Sequence, residues 1–273
     1  MKQNSTKKLL STSLLLVLIA LVSLTAATTA WMTIADSTRL KTMRLDVTSG
    51  ANLRFDLDSH ETFEEYVKSL RLIDIADRIL RDQGYHPREN PLSPVTTTDC
   101  IHFTLENGEP AAKESYMEFV LHFMATDDMV VHLTTAGEEG TRIFSDEVSD
   151  IAKAMRISFT ADDSTAVYDP GMEPGSEEGL GGKIFGLARG NRIVYDASNT
   201  LFFLKAGVDK PVTVRIWLEG TDEICTDALR GVPYHIQLRF VGTDENGNLL
   251  EDSRTTTRRS AAATPTEERN ENK

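Results

Sequence analysis

Six histidines, His60, His86, His102, His122, His132 and His235, are the first residues to weigh for chemistry. His122, His132 and His235 each fall within a segment of alternating apolar residues, where imidazoles on neighbouring strands could converge on a metal ion. Their spacing does not compel it, because the H-E-x-x-H and C-x-x-C patterns that place ligands side by side are absent from the sequence. It also lacks a G-x-S-x-G elbow and a phosphate-cradling glycine loop. Glu219, Asp222 and Asp227 surround Cys225, and paired acids can divide acid and base roles when their surroundings split their pKa values. Acids at the end of a strand are also the ordinary make-up of a solvated loop. Asp244-Glu245-Asn246-Gly247-Asn248 starts like a calcium loop, but its twelfth position is Thr255, which has no carboxylate, so a turn is the better account. Asp162, Asp163 and Asp169 have no spacing that demands a cation. No catalytic residue, metal or cofactor is therefore assigned.

The elements that hold these residues read mainly as strands. Val212, Val214, Ile216 and Leu218 alternate with Thr213, Arg215, Trp217 and Glu219, the period of a half-buried strand. Trp217 stands opposite the aliphatic row, which makes it a surface contact or part of a second packing layer. Tyr234, Ile236, Leu238 and Phe240 repeat the pattern, and an antiparallel pairing of these two strands across the loop that carries Cys225 is the simplest arrangement. Earlier in the chain, Met43, Leu45 and Val47, then Leu53, Phe55 and Leu57, alternate on either side of Ser49-Gly50. Between 61 and 83 the period lengthens, with Phe63, Val67, Leu70, Ile73, Ile79 and Leu80 mostly three or four apart, so one amphipathic helix or two short ones are expected. Gly84 ends that pattern.

Further strands are expected around Phe103, 117–123, 129–133, 155–159, 166–168 and 201–204, with a turn at Glu106-Asn107-Gly108 and a short helix over 145–154. Residues 171–190, rich in Gly, Pro, Ser and Glu, read as an exposed mobile loop. About ten short strands with no βαβ rhythm predict a mainly β protein, a jelly-roll-like two-sheet β-sandwich with short helical insertions.

Three lysines, Lys2, Lys7 and Lys8, precede an apolar run from Leu9 to Leu24 and then small residues up to Ala30, the order of a secretory signal. The uncharged stretch continues through Met32, long enough to span a bilayer as a retained anchor. Domain organisation follows: 1–30 signal peptide or anchor, 31–250 the sandwich with its insertion at about 61–83, and 251–273 a polar disordered tail. Without the three leader lysines, 26 of the 29 basic residues remain against 42 acidic ones, a balance of −16 that disfavours nucleic acid. Cys100 and Cys225 in an exported chain are compatible with one long-range disulfide or with two thiols.

The leader ending T-A-A-T-T-A-W-M-T (25–33), followed closely by an alternating strand, resembles the N-terminus of the secreted TasA and camelysin-like proteins of Gram-positive bacteria. A-M-R-I-S-F (154–159), V-Y-D-P (167–170) and V-R-I-W-L-E-G-T-D-E-I-C (214–225) are similar to blocks in clostridial exported proteins of the same general kind. The resemblance implies processing by a dedicated, SipW-type signal peptidase and a sandwich that joins into extracellular biofilm-matrix fibres, one subunit's freed N-terminal strand completing the sheet of the next. The donor would be 31–47, inserting Met43, Leu45 and Val47. The partners would then be further copies in a homo-oligomer or filament, together with cell-surface or matrix components. A surface binding module using 171–190 and the Trp217 face is the first alternative, and a camelysin-like metalloprotease is the second.

Overall fold

The computed structural model describes residues 40–48, 52–226, 229 and 231–250. The leader or anchor at 1–30, the donor residues 31–39, Asp227 and the 251–273 tail lie outside the described residues. In chain order the strands are β1 (Leu40–Val47), β2 (Leu53–Asp56), β3 (Ser69–Arg71), β4 (Pro94–Thr97), β5 (Phe103–Thr104), β6 (Met117–Ala125), β7 (Met129–Leu133) and β8 (Arg142–Phe144). They continue with β9 (Met155–Ala161), β10 (Ser164–Tyr168), β11 (Gly175–Gly179), β12 (Gly182–Gly186), β13 (Thr200–Leu204), β14 (Lys210–Glu219) and β15 (Tyr234–Thr243). The helices are α1 (Leu72–Gln83) and α2 (Ile151–Ala154).

The strands form two mixed sheets, a two-sheet β-sandwich of the class read from the sequence. One sheet runs β13-β7-β15-β1-β3, with β8 also on β15. The other runs β11-β12-β10-β9-β14-β4-β5, with β6 between β14 and β2. Period-2 alternation aims one face of each sheet at the other. Phe240 of the first sheet meets Phe55, Phe123 and Phe159 of the second at centroid distances of 5.7, 5.2 and 5.9 Å. All four rings are fully buried.

The long strands β14 and β15 lie in different sheets, so the antiparallel pairing expected between them does not occur. β14 instead pairs with β6 and β9, and β15 with β1, β7 and β8. Each strand buries its aliphatic row more completely by facing the other across the sandwich than by lying beside it.

The 61–83 segment is helical only in its second part. Residues 63–65 form a short 3-10 turn, β3 pairs with β1, and α1 starts at Leu72, where Asp74 Oδ2 accepts the Arg71 N–H at 2.9 Å. The buried stripe is Leu72, Ile75, Ala76 and Ile79, so Ile73 and Leu80 point outward rather than into the core. Gly84 takes the left-handed conformation, φ 83°, that closes the helix. Gly108, at φ 82°, makes the expected turn, its N–H donating to Leu105 O. Over 145–154 only α2 is helical, because the Ser145 hydroxyl donates to Pro233 O and accepts the Glu147 N–H instead of capping a helix. Residues 171–190 are not a loop throughout: β11 and β12 form an antiparallel hairpin that extends the second sheet through β10.

Candidate functional site

Of the residues expected to form the donor strand, 40–47 form a strand and 31–39 lie outside the described residues. β1 pairs in parallel with β15 over seven residue pairs, from Leu40↔Tyr234 to Val47↔Phe240, and β3 lies antiparallel on its other side. Leu40, Met43, Leu45 and Val47 are all buried, facing the core beside Tyr234, Ile236, Leu238 and Phe240. Their neighbours Thr42 and Arg44 face outward, and Thr42 Oγ1 lies 2.7 Å from His235 Nδ1. The strand is thus seated inside its own sheet, where the sequence had suggested a strand left free to reach another molecule. Enclosing four such side chains is worth roughly 6–12 kcal/mol as an upper bound, reason enough for the chain to keep its own strand.

Three of the sheet margins are poor places to add a strand, whereas β13, at the edge of the first sheet, is five residues long with an exposed Phe203. β3 has three residues and β5 two, and β11 carries exposed Glu177 and Glu178 between its glycines. Short or charged edges discourage pairing with a passing chain. β1 already fills the groove between β15, along seven residue pairs, and β3, along three.

Trp217 is not a surface contact. It is fully buried with Val95, Cys100, Phe103 and Val167 in a small second core on the outer side of the β14 sheet. Its ring meets Phe103 edge-on at 5.3 Å, and its indole N–H donates to Glu219 Oε2 at 3.0 Å. Residues 95–116 cross over this face, which is why a tryptophan opposite the aliphatic row ends up covered. Cys100 and Cys225 are thiols and are not joined, which corrects the disulfide alternative. Cys100 belongs to the second core, whereas Cys225 packs against the main one, so the two serve different layers. Burial pushes the Cys100 thiol up to about 11.

The three strand histidines are held apart. His132 is buried between the β7 and β15 strands and the 199 loop, His235 stacks on Phe144 at 4.8 Å, and His122 lies in the other sheet. Among the described residues no group of three or more His, Cys, Asp or Glu side chains is placed to hold a metal ion. The other acids weighed for chemistry serve as ties. Glu219 accepts from Trp217 and Thr221, and Arg156 Nη2 bridges Asp222 at 2.8 Å and Asp169 at 3.0 Å. Asp162 pairs with Lys210, and Asp244 accepts the N–H groups of Asn246 and Asn248, closing a turn.

One polar cluster escaped the sequence reading. Asp209 accepts the Tyr66 hydroxyl at 2.8 Å and the Ser59 hydroxyl at 2.9 Å, and its Oδ2 lies 2.8 Å from His122 Nδ1. Partial burial pushes the Asp209 carboxyl up, but the bonds from His122, Tyr66 and Ser59 outweigh it and hold the group below its ordinary value. The Ser59 hydroxyl is spent on the carboxylate rather than on the imidazole, so the set is not arranged to activate a nucleophile. It fastens the loop after β2 to the start of β14. Its members are far apart in the chain, and no sequence pattern links them.

A scan against protein-family models, a search of curated proteins and a search of solved structures each found no match to this chain. Among the described residues no helix is long and apolar enough to cross a membrane.

Proposed function

We propose that the protein is an exported structural subunit that polymerises by exchanging β1 between copies, so that each molecule's first strand fills the β15–β3 groove of the next. The observation that carries this reading is the seat of β1. It is the first described strand, only residues 48–52 separate it from β2 in sequence, and it pairs with β15 over seven residue pairs and with β3 over three. A neighbour's β1 would make the same backbone bonds and bury the same Leu40, Met43, Leu45 and Val47 in the same places. Exchange therefore changes few contacts, and concentration decides between the two states. A strand tethered by a short link competes at an effective concentration on the order of millimolar, so exchange is favoured where copies are crowded or slowly released. The −16 balance of the chain without its leader lysines keeps single copies soluble. Export rests on the leader, and the fibre reading draws on the resemblance to TasA-like proteins.

The test is a reversible lock. Thr42 and His235 are register partners on the outer face, and the double variant Thr42→Cys, His235→Cys would tie β1 to its own β15. Oxidised variant should remain monomeric by light scattering and negative-stain microscopy at concentrations where wild type forms filaments, and reduction should restore assembly. Filaments from fully oxidised protein would end the exchange reading.

A further inference from the structure

Beside the seat of β1 lies a cavity of about 460 Å³ lined by Thr42, Met43 and Arg44 of β1, Arg71 of β3, Leu72 and Ile73 of α1, Arg88, Phe144 of β8, and Ile236 and Gln237 of β15. Its lining residues include three arginines and no acidic residue, in a chain whose net charge is −13. Arg44 is shared with Asp46 at 2.6 Å and Glu139 at 3.3 Å, and Arg71 is only loosely paired with Asp74 at 3.8 Å. The Arg88 guanidinium has no ion pair among the described residues. Half-buried Phe144 and exposed Ile73 supply the apolar surface, while Met43, Leu72 and Ile236 border the cavity with their side chains buried in the core. Thr42 and Gln237 add neutral hydrogen-bonding groups.

We propose that this cavity is a binding site for a small amphipathic acid, an oxyanion carried on an apolar body. Guanidinium forks match carboxylate and phosphate oxygens bidentately, and the unpaired Arg88 is the group with most to gain from such a partner. The volume falls within the usual range for small-molecule sites, roughly 300–1,000 Å³. The Phe144 and Ile73 surface selects an acid with an apolar body over a bare inorganic anion, since covering that body adds to affinity while a hydrated ion gains only charge pairing. One wall of the cavity is β1 itself, so a bound acid holds β1 against β15 and α1. Ligand binding and the docking of β1 are then linked, each favouring the other.

The site is tested on the monomer, at concentrations too low for assembly, so that its failure and the failure of strand exchange are separate results. Calorimetric titration with 4-phenylbutyrate and phenyl phosphate should show saturable binding. The alcohol 4-phenylbutanol, which lacks the charge, and inorganic phosphate, which lacks the apolar body, should each bind roughly tenfold or more weakly. Arg88→Ala, at an exposed position, should leave the unliganded melting temperature unchanged and weaken acid binding by a similar factor. Hydrogen exchange should slow in 40–47 and 69–73 when the acid is bound. No saturable binding of either acid, equal binding by the alcohol or by Arg88→Ala, or protection elsewhere with none in 40–47 would each overturn the assignment.

Discussion

His132 is almost fully enclosed, with Nδ1 2.7 Å from Asn199 Oδ1 and Nε2 3.2 Å from Thr243 Oγ1. Burial holds its pKa below the ordinary 6.5, assisted by Lys183 and opposed by the Asn199 bonds and Asp196. The folded chain therefore keeps this ring neutral at a pH where the unfolded chain has begun to protonate it. Acid then favours the unfolded state, and the stability the neutral ring contributes is present above about pH 6.5 and is lost as the pH falls through and below that value. Urea denaturation at pH 7.5 and 5.5 should show wild type losing stability on acidification and His132→Gln losing less. An equal loss in both would remove His132 as the source. Neither His132 nor Trp217 advertised its burial: each stands at a position whose alternation marks a side of a strand, but whether that side meets water or a further layer depends on what crosses over it.

At the scale of elements, β1 and α1 separate core from surface within a few residues of each other. Leu45 is fully buried between Leu238 and Leu70, while Ile73 is 39% exposed beside the arginine cavity. Leu45→Ala should cost about 2–5 kcal/mol in chemical denaturation, whereas Ile73→Ala should stay within about 0.5 kcal/mol of wild type. Equal effects would mean that β1 is not docked in solution as it is here. The helix period was visible in 61–83, but its phase and start were not. Phe63, Val67 and Leu70 precede the helix and belong to a turn, an isolated bridge to Phe55 and a strand, and counting them into one stripe turned Ile73 and Leu80 toward the core. The register was fixed by β3 pairing with β1, a contact between segments more than twenty residues apart in sequence.

For the whole molecule, the two layers place Cys100 and Cys225 in separate hydrophobic clusters, so two thiols per chain are expected. Thiol titration of the protein unfolded without reductant should count both, while native Cys100 should react slowly because burial keeps it protonated. A count of zero would restore the bridge. Much of the sandwich could be read in advance. The strands at 117–125, 129–133, 155–161, 210–219 and 234–243 all carry the alternation that announced them. Their partners could not be read: β14 and β15 looked like a pair and lie in opposite sheets, and residues taken for a glycine-rich loop add two strands to one of them.

What the amino-acid sequence determined alone is local: which long alternating stretches are strands, where several turns fall, that the chain is acidic, and that its start sets three lysines before an apolar run. Those properties depend on side-chain periodicity and composition over a few residues. Tertiary structure decided the rest, namely that β1 fills a groove in its own sheet, that Trp217 is buried, that Asp209 gathers Ser59, Tyr66 and His122, and that three arginines from separate segments line one cavity. Each of these joins residues distant in the chain, and such contacts are selected by the total surface removed from water and the polar groups satisfied, sums that no single stretch contains.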